Sequence, residues 1–196
     1  VKESYSLGIS YLEGNRSKAK IECESGSGSS VVSGPKSTKE TRIEFAQCEI
    51  KGGLACENKG MGSKQIETNN LVGELGLISS TKDGLRMKPE TGPYLMEFTC
   101  GGGAVAIKVK GSVIGEITGA QTAGKTIAEA KLGSGGDLKF AQSGGIQKYN
   151  KFLGESTGQQ LENVVFEGAK THEELVGQSA SIVVKSVPAV AIGETT

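Results

Sequence analysis

The chain has no tryptophan, one histidine (His172) and two aspartates (Asp83 and Asp137). Each shortage excludes something. A single imidazole leaves one candidate base for a Ser-His-Asp or Cys-His site, and His172 stands in the polar stretch "THEE" with no nucleophile placed to use it. With so few aspartates, the oxygen-rich loops that hold calcium are hard to build. Four tyrosines and five phenylalanines are a poor supply of flat platforms for sugars. No apolar run approaches the roughly 20 residues of a membrane-spanning helix. The 22 basic residues equal the 22 acidic ones and are dispersed, so nucleic acid and anionic membranes find no electrostatic footprint. We therefore assign no catalytic, cofactor-binding or metal-ligating residue.

What the sequence does hold is glycine, 30 residues of it, and apolar positions that alternate. Period-two patterns run through "YSLGISYL" (Tyr5, Leu7, Ile9, Tyr11), "TRIEFAQ" (Ile43, Phe45) and "YLMEFTC" (Tyr94, Met96, Phe98, Cys100). They return in "AVAIKVKG" (Val105, Ile107, Val109) and "DLKFAQ" (Leu138, Phe140). Turn-forming clusters such as "KGG", "KDG", "CGGG" and "QSGG" separate them. This is the pattern of a single antiparallel β-sandwich or barrel over 1–196. One short helix is expected at 171–176, where Thr171 and Glu174 suit a capping box and Gly177 a stop. The segment 24–40, "ESGSGSSVVSGPKSTKE", reads as a linker or a long hairpin loop.

The stretch "GAQTAGKT" (119–126) matches G-x-x-x-x-G-K-[ST], but a phosphate loop needs a helix after it. Here "IAEAKL" runs into "GSGG" in less than two turns, and no magnesium-holding Asp follows an apolar run. We read 119–125 as a connection between strands. Asn15-Arg16-Ser17 fits a glycosylation acceptor, a pattern that also arises by chance.

Cys23, Cys48, Cys56 and Cys100 form an even set without C-x-x-C spacing, which suits two disulfides better than zinc. Three connectivities are open. The short loop "CEIKGGLAC" makes Cys48 to Cys56 the easiest closure, leaving Cys23 to Cys100. A start at Val1 suits a mature chain whose export signal has been removed.

From Thr41 onward the motifs "FAQCEIKGGLACENKG", "IETNNLVGELGLI", "DGLRMKP", "MEFTCGGGAVAIKVKGSVIGEIT", "LKFAQSGGIQKYNKF" and "THEEL" resemble a large family of exported proteins from actinobacterial soil lineages. That family has many paralogous copies and no assigned activity. The resemblance covers about three-quarters of the chain. It implies an exported all-β protein, with Cys48 and Cys56 in the family's C-to-C loop, and supplies no catalytic residue.

The functional expectation is an extracellular or cell-surface structural subunit, self-associating by β-strand addition. Its exchangeable element is the first strand (1–13), with Tyr5, Leu7, Ile9 and Tyr11 on one face. The alternative is a secreted binding module with Met87, Tyr94 and Met96 lining a pocket for a small molecule, peptide or glycan. A hydrolase built on His172 ranks last.

Overall fold

The computed structural model describes residues 2–58, 60–118, 130–132, 136–187 and 190–192. Among these residues every regular element is a β-strand, and they build eight antiparallel staves in chain order. The first stave is β1 (Lys2–Leu7) with β2 (Ser10–Gly14), and the second is β3 (Lys20–Cys23) with β4 (Ser25–Gly34). The third is β5 (Ser37–Ala46) with β6 (Glu49–Ile50), and the fourth is β7 (Leu54–Glu57), β8 (Gln65–Glu67) and β9 (Leu71–Ser79). The fifth is β10 (Lys82–Pro89) with β11 (Tyr94–Cys100), and the sixth is β12 (Val105–Gly111) with β13 (Val113–Thr118). Next come β14 (Ala130–Leu132), then the seventh stave, β15 (Gly136–Phe140) with β18 (Leu161–Glu167). Between its halves lies an excursion carrying β16 (Gln142–Ser143) and β17 (Ile146–Gln147). The eighth stave is β19 (Lys170–Val187), and β20 (Val190–Ile192) pairs with β14.

Each stave pairs with its sequence neighbour, and β19 pairs with both β1 and β2 to close the ring. The described residues thus form an up-and-down β-barrel, and among them the wall has no open sheet edge. Most staves are broken near the middle, where the inward face changes phase. β19 alone runs through, burying Glu174, Val176, Gln178, Ala180, Ile182 and Val184 at every second position, with Gly177 also covered, by the excursion at Gln142 and Gly145.

One apolar cluster fills the interior, from Tyr5, Ile43, Phe45, Leu71 and Met87 to Phe98, Ile107, Leu161 and Val176. Among the described residues two small spaces of about 30 and 10 Å³ open in this core, the larger beside Ile21, Phe45, Met96 and Phe98. The larger is roomy enough to hold water, and the smaller is near the lower limit for a single one. An eight-stranded barrel is just narrow enough for its side chains to fill it.

Several expectations change. No helix forms at 171–176, because Gly168 (φ 58°) opens a two-residue hairpin with Ala169 that sends 170–176 back along β18 as strand. The capping-box letters are there, but cross-strand pairing overrides them. Segment 24–40 is a strand pair, β4 and β5, turned at Pro35-Lys36. The first strand is broken at Gly8-Ile9, so Tyr5 and Leu7 face inward while Ile9 is 67% exposed and Tyr11 is half-buried against Lys20. Met87 and Met96 are buried, Met96 beside both small interior spaces and Met87 beside the smaller one, while Tyr94 is half-buried and lines neither. The "GAQTAGKT" loop lies outside the described residues.

Candidate functional site

The barrel closes at β1. On one side it pairs with β19 from Lys2 opposite Val187 to Leu7 opposite Ile182, and on the other with β4 from Lys2 opposite Val31 to Leu7 opposite Gly26. The facing β4 sequence "SGSGSS" supplies almost no side chain to this seam. A Cβ at Gly26 would lie 2.8 Å from the Glu44 carbonyl of β5 and 3.4 Å from Leu7 Cδ1, and one at Gly28 would run into the Arg42 carbonyl of β5 and lie 3.2 Å from Tyr5 Cδ2. The side chains of β1 therefore fill the interior space that β4 leaves empty.

Above Tyr5 sits a buried polar group. Glu3, 3% exposed, accepts hydrogen bonds at Oε2 from Ser30 Oγ (2.6 Å) and from the Tyr5 hydroxyl (2.9 Å), while Tyr5 and Ser30 also touch each other. Burial, with the Glu3 charge alongside, pushes the Tyr5 phenol well above its ordinary range, so it stays a donor. Thr38 and Thr41, both buried on β5, add hydroxyls 3.4 Å apart. Glu3 Oε1 has no hydrogen-bond partner among the described residues.

Past Leu7 the strand meets an open joint. A Cβ at Gly8 would meet nothing within 4 Å, Ile9 projects into solvent, and Ser10 restarts the inward face in β2. The disulfides lie elsewhere, as Cys23–Cys48 between the second and third staves and Cys56–Cys100 between the fourth and fifth. This overturns the Cys48 to Cys56 closure. Those two residues do face each other across a hairpin, with Cys56 N–H donating to the Cys48 carbonyl at 2.9 Å, yet each bonds to the stave on its other side. The four cysteines form a buried row across four staves, and neither bond fastens the first stave to the eighth. Two disulfides suggest an oxidising environment, and no helix among the described residues is long and apolar enough to cross a membrane.

The remaining polar clusters fasten loops. Glu174 accepts from Arg16 N–H (2.8 Å), Ser17 N–H (2.9 Å) and the Ser17 hydroxyl, which folds the 15–19 turn over one barrel end. Burial pushes its carboxyl up, but these donors outweigh it and hold it below the usual range. Glu173 points the other way, to Lys110 (3.2 Å), so the two adjacent acids do not form a pair. His172 is exposed on β19 opposite Val165.

The excursion is strapped around the outside. Tyr149 donates to Glu116 (2.7 Å), which also binds Lys82 (2.6 Å). Phe152 packs on Gly76 and under Arg86, 4.3 Å from ring centre to guanidinium, and Arg86 pairs with Glu155. Where the strap returns, a polar groove opens between it and the wall, lined by Lys88, Gly92, Pro93, Lys110 and Gly158 to Gln160.

Sequence reading singled out Tyr5 and Leu7, which the structure brings together at the seam, and Ile9 and Tyr11, which it does not. It missed Glu3, Ser30, Gly26 and Gly28. Their signal was the alternation of Glu3 with Tyr5 and Leu7, and the glycines at every second position of "SGSGSS". The chain matches no protein-family model, no curated protein and no solved structure. Fold and site define a class: a disulfide-stapled up-and-down barrel, filled inside and closed by a strand that neither disulfide ties down.

Proposed function

We propose that this protein is an exported structural subunit, extracellular or on a cell surface, whose barrels link by exchanging β1. The observation that carries the reading is the seam. β1 fills a groove that its neighbour leaves empty, hangs on an open joint at Gly8-Ile9 and lies outside both disulfides. A strand that fills its own barrel's groove fills the same groove in a second copy equally well, so exchange conserves every contact except at the joint. Among the described residues the closed wall has no free edge for simple strand addition, which favours exchange as the route to assembly. The disulfides keep the second stave joined to the third and the fourth to the fifth while β1 is out.

The test uses two variants that each add one cysteine to the four native ones, Ser6→Cys and Ser27→Cys, at positions directly opposite across β1 and β4 and both exposed. The chains are mixed under oxidising conditions. Exchange yields a disulfide joining the two different chains through residues 6 and 27. Strictly separate chains contradict the reading.

A second reading, a secreted binding module, draws on the groove beside Lys88, Pro93, Lys110 and Gln160. Its glycine and proline backbone and amide side chains suit an extended polar ligand such as a glycan or peptide. Retention of the protein on a glycan or peptide array, lost on Gly158→Trp substitution, supports it; no retention contradicts it.

A further inference from the structure

We infer that the Glu3, Tyr5 and Ser30 cluster is the recognition element of the seam, which fits the groove to Lys2–Leu7 of a second copy of this chain in one register. The inference rests on the strand-exchange reading. Along β4 the groove presents Gly26 opposite Leu7, Gly28 opposite Tyr5 and Ser30 opposite Glu3. The two glycines offer space but no direction. Ser30 offers a hydroxyl, and with Tyr5 it places two donors on one carboxyl oxygen of Glu3 at 2.6 and 2.9 Å.

The rest of the surroundings make that pairing selective. Among the described residues, the side chains turned inward from β5, β15 and β19 around this end are Thr38, Thr41, Leu138, Phe140, Ile182 and Val184, with no cation among them. A carboxyl buried in such walls is tolerated only where hydroxyls meet it. A slip of one residue turns Glu3, Tyr5 and Leu7 outward and puts Ser4 and Ser6 into the core. A slip of two carries Glu3 past Ser30 or brings Tyr5 against it, and the carboxyl loses its donors. The cluster thus rejects wrong registers and wrong strands by leaving a buried polar group unmatched, which discriminates more sharply than apolar fit.

The test transposes the two groups across the ladder. Glu3→Ser leaves two hydroxyls facing, Ser30→Glu leaves two carboxyls facing, and the double variant restores one of each. Within one chain, each single variant is expected to lower the melting temperature by about 3–8 °C, and the double variant to recover at least half of the loss. Between chains, the two single variants are mixed. A strand carrying Glu3→Ser then meets a groove carrying Ser30→Glu, while the unaltered strand of the second chain meets the unaltered groove of the first. Mixed assemblies are therefore expected to exceed self-assemblies several-fold by native mass spectrometry.

Two failures are distinct. If the double variant recovers nothing while the unmodified chain still exchanges strands in the cysteine experiment, the recognition role is overturned and the exchange reading survives. If the double variant recovers but mixed species never form and the unmodified chain does not exchange, the exchange reading falls and takes the proposed partner with it.

Discussion

Tyr5 packs against the bare backbone of Gly28: a Cβ there would run into the Arg42 carbonyl of the next stave and would lie 3.2 Å from Tyr5 Cδ2. The seam is therefore built asymmetrically, with bulk on β1 and none on β4. A β1 withdrawn from its barrel exposes a slot that matches its own side chains.

Shortening Tyr5 should show how much the seam depends on it. Tyr5→Ala leaves the slot empty and removes one donor from Glu3, and is expected to destabilise the barrel by about 3–5 kcal/mol. Chemical denaturation measures this. A loss below about 1 kcal/mol would mean that β1 is not anchored by its side chains.

The joint is expected to control exchange without controlling stability. At Gly8 a side chain meets open space, so Gly8→Ala leaves packing untouched while stiffening the link between β1 and β2. Folding free energy should change by less than about 1 kcal/mol. The rate of mixing between isotope-labelled and unlabelled chains should change measurably. An unchanged rate would place the hinge elsewhere.

Acid should release the 15–19 turn before the barrel opens. The Glu174 carboxyl is held below its ordinary range in the folded protein, so the stability it contributes is fully present above the unfolded carboxylate range, about pH 4.3, and is lost as pH falls through the depressed folded value. Amide exchange at Arg16 and Ser17, referenced to β19, should accelerate below about pH 4. Glu174→Gln should show the faster exchange already at neutral pH. Uniform protection down to about pH 3 would contradict this.

The strap depends on one glycine. A Cβ at Gly76 would lie 2.5 Å from the Phe152 ring, so Gly76→Val should lift Phe152 and, with it, the Arg86 to Glu155 contact. Limited proteolysis is expected to cut first within 148–158 while the two disulfides and the barrel's circular dichroism persist. Cleavage elsewhere first would mean that the strap is held by Tyr149 instead.

Much of this fold was legible in the chain. Ile43, Phe45, Phe98, Ile107, Leu138 and Phe140 alternate inward as their spacing requires, and "CGGG" turns beside Cys100 with positive φ at Gly101, Gly102 and Gly103. Closure was not legible. It is set by pairing between Lys2 and Val187, at opposite ends of the sequence, and no local pattern carries that register. The cysteine pairing followed the same logic: loop length favours Cys48 with Cys56, but the meander sets Cys23 beside Cys48 and Cys56 directly opposite Cys100. Ile9 was misplaced because Gly8 lets the strand slip phase, and a period-two count runs straight through such a slip. The seam's other half was missed because "SGSGSS" looks like a linker until something bulky faces it.

The central claim is that β1 passes between copies, and a locked barrel tests it most directly. In one chain carrying both Ser6→Cys and Ser27→Cys, an oxidised bond ties β1 to its own β4. Light scattering and negative-stain electron microscopy would then follow the locked and unmodified chains over a range of concentrations. The account predicts that the unmodified chain forms assemblies that grow with concentration, while the locked chain stays a folded monomer and recovers assembly on selective reduction of that bond. Unmodified chain that remains monomeric throughout, or locked chain that assembles equally well, would contradict it.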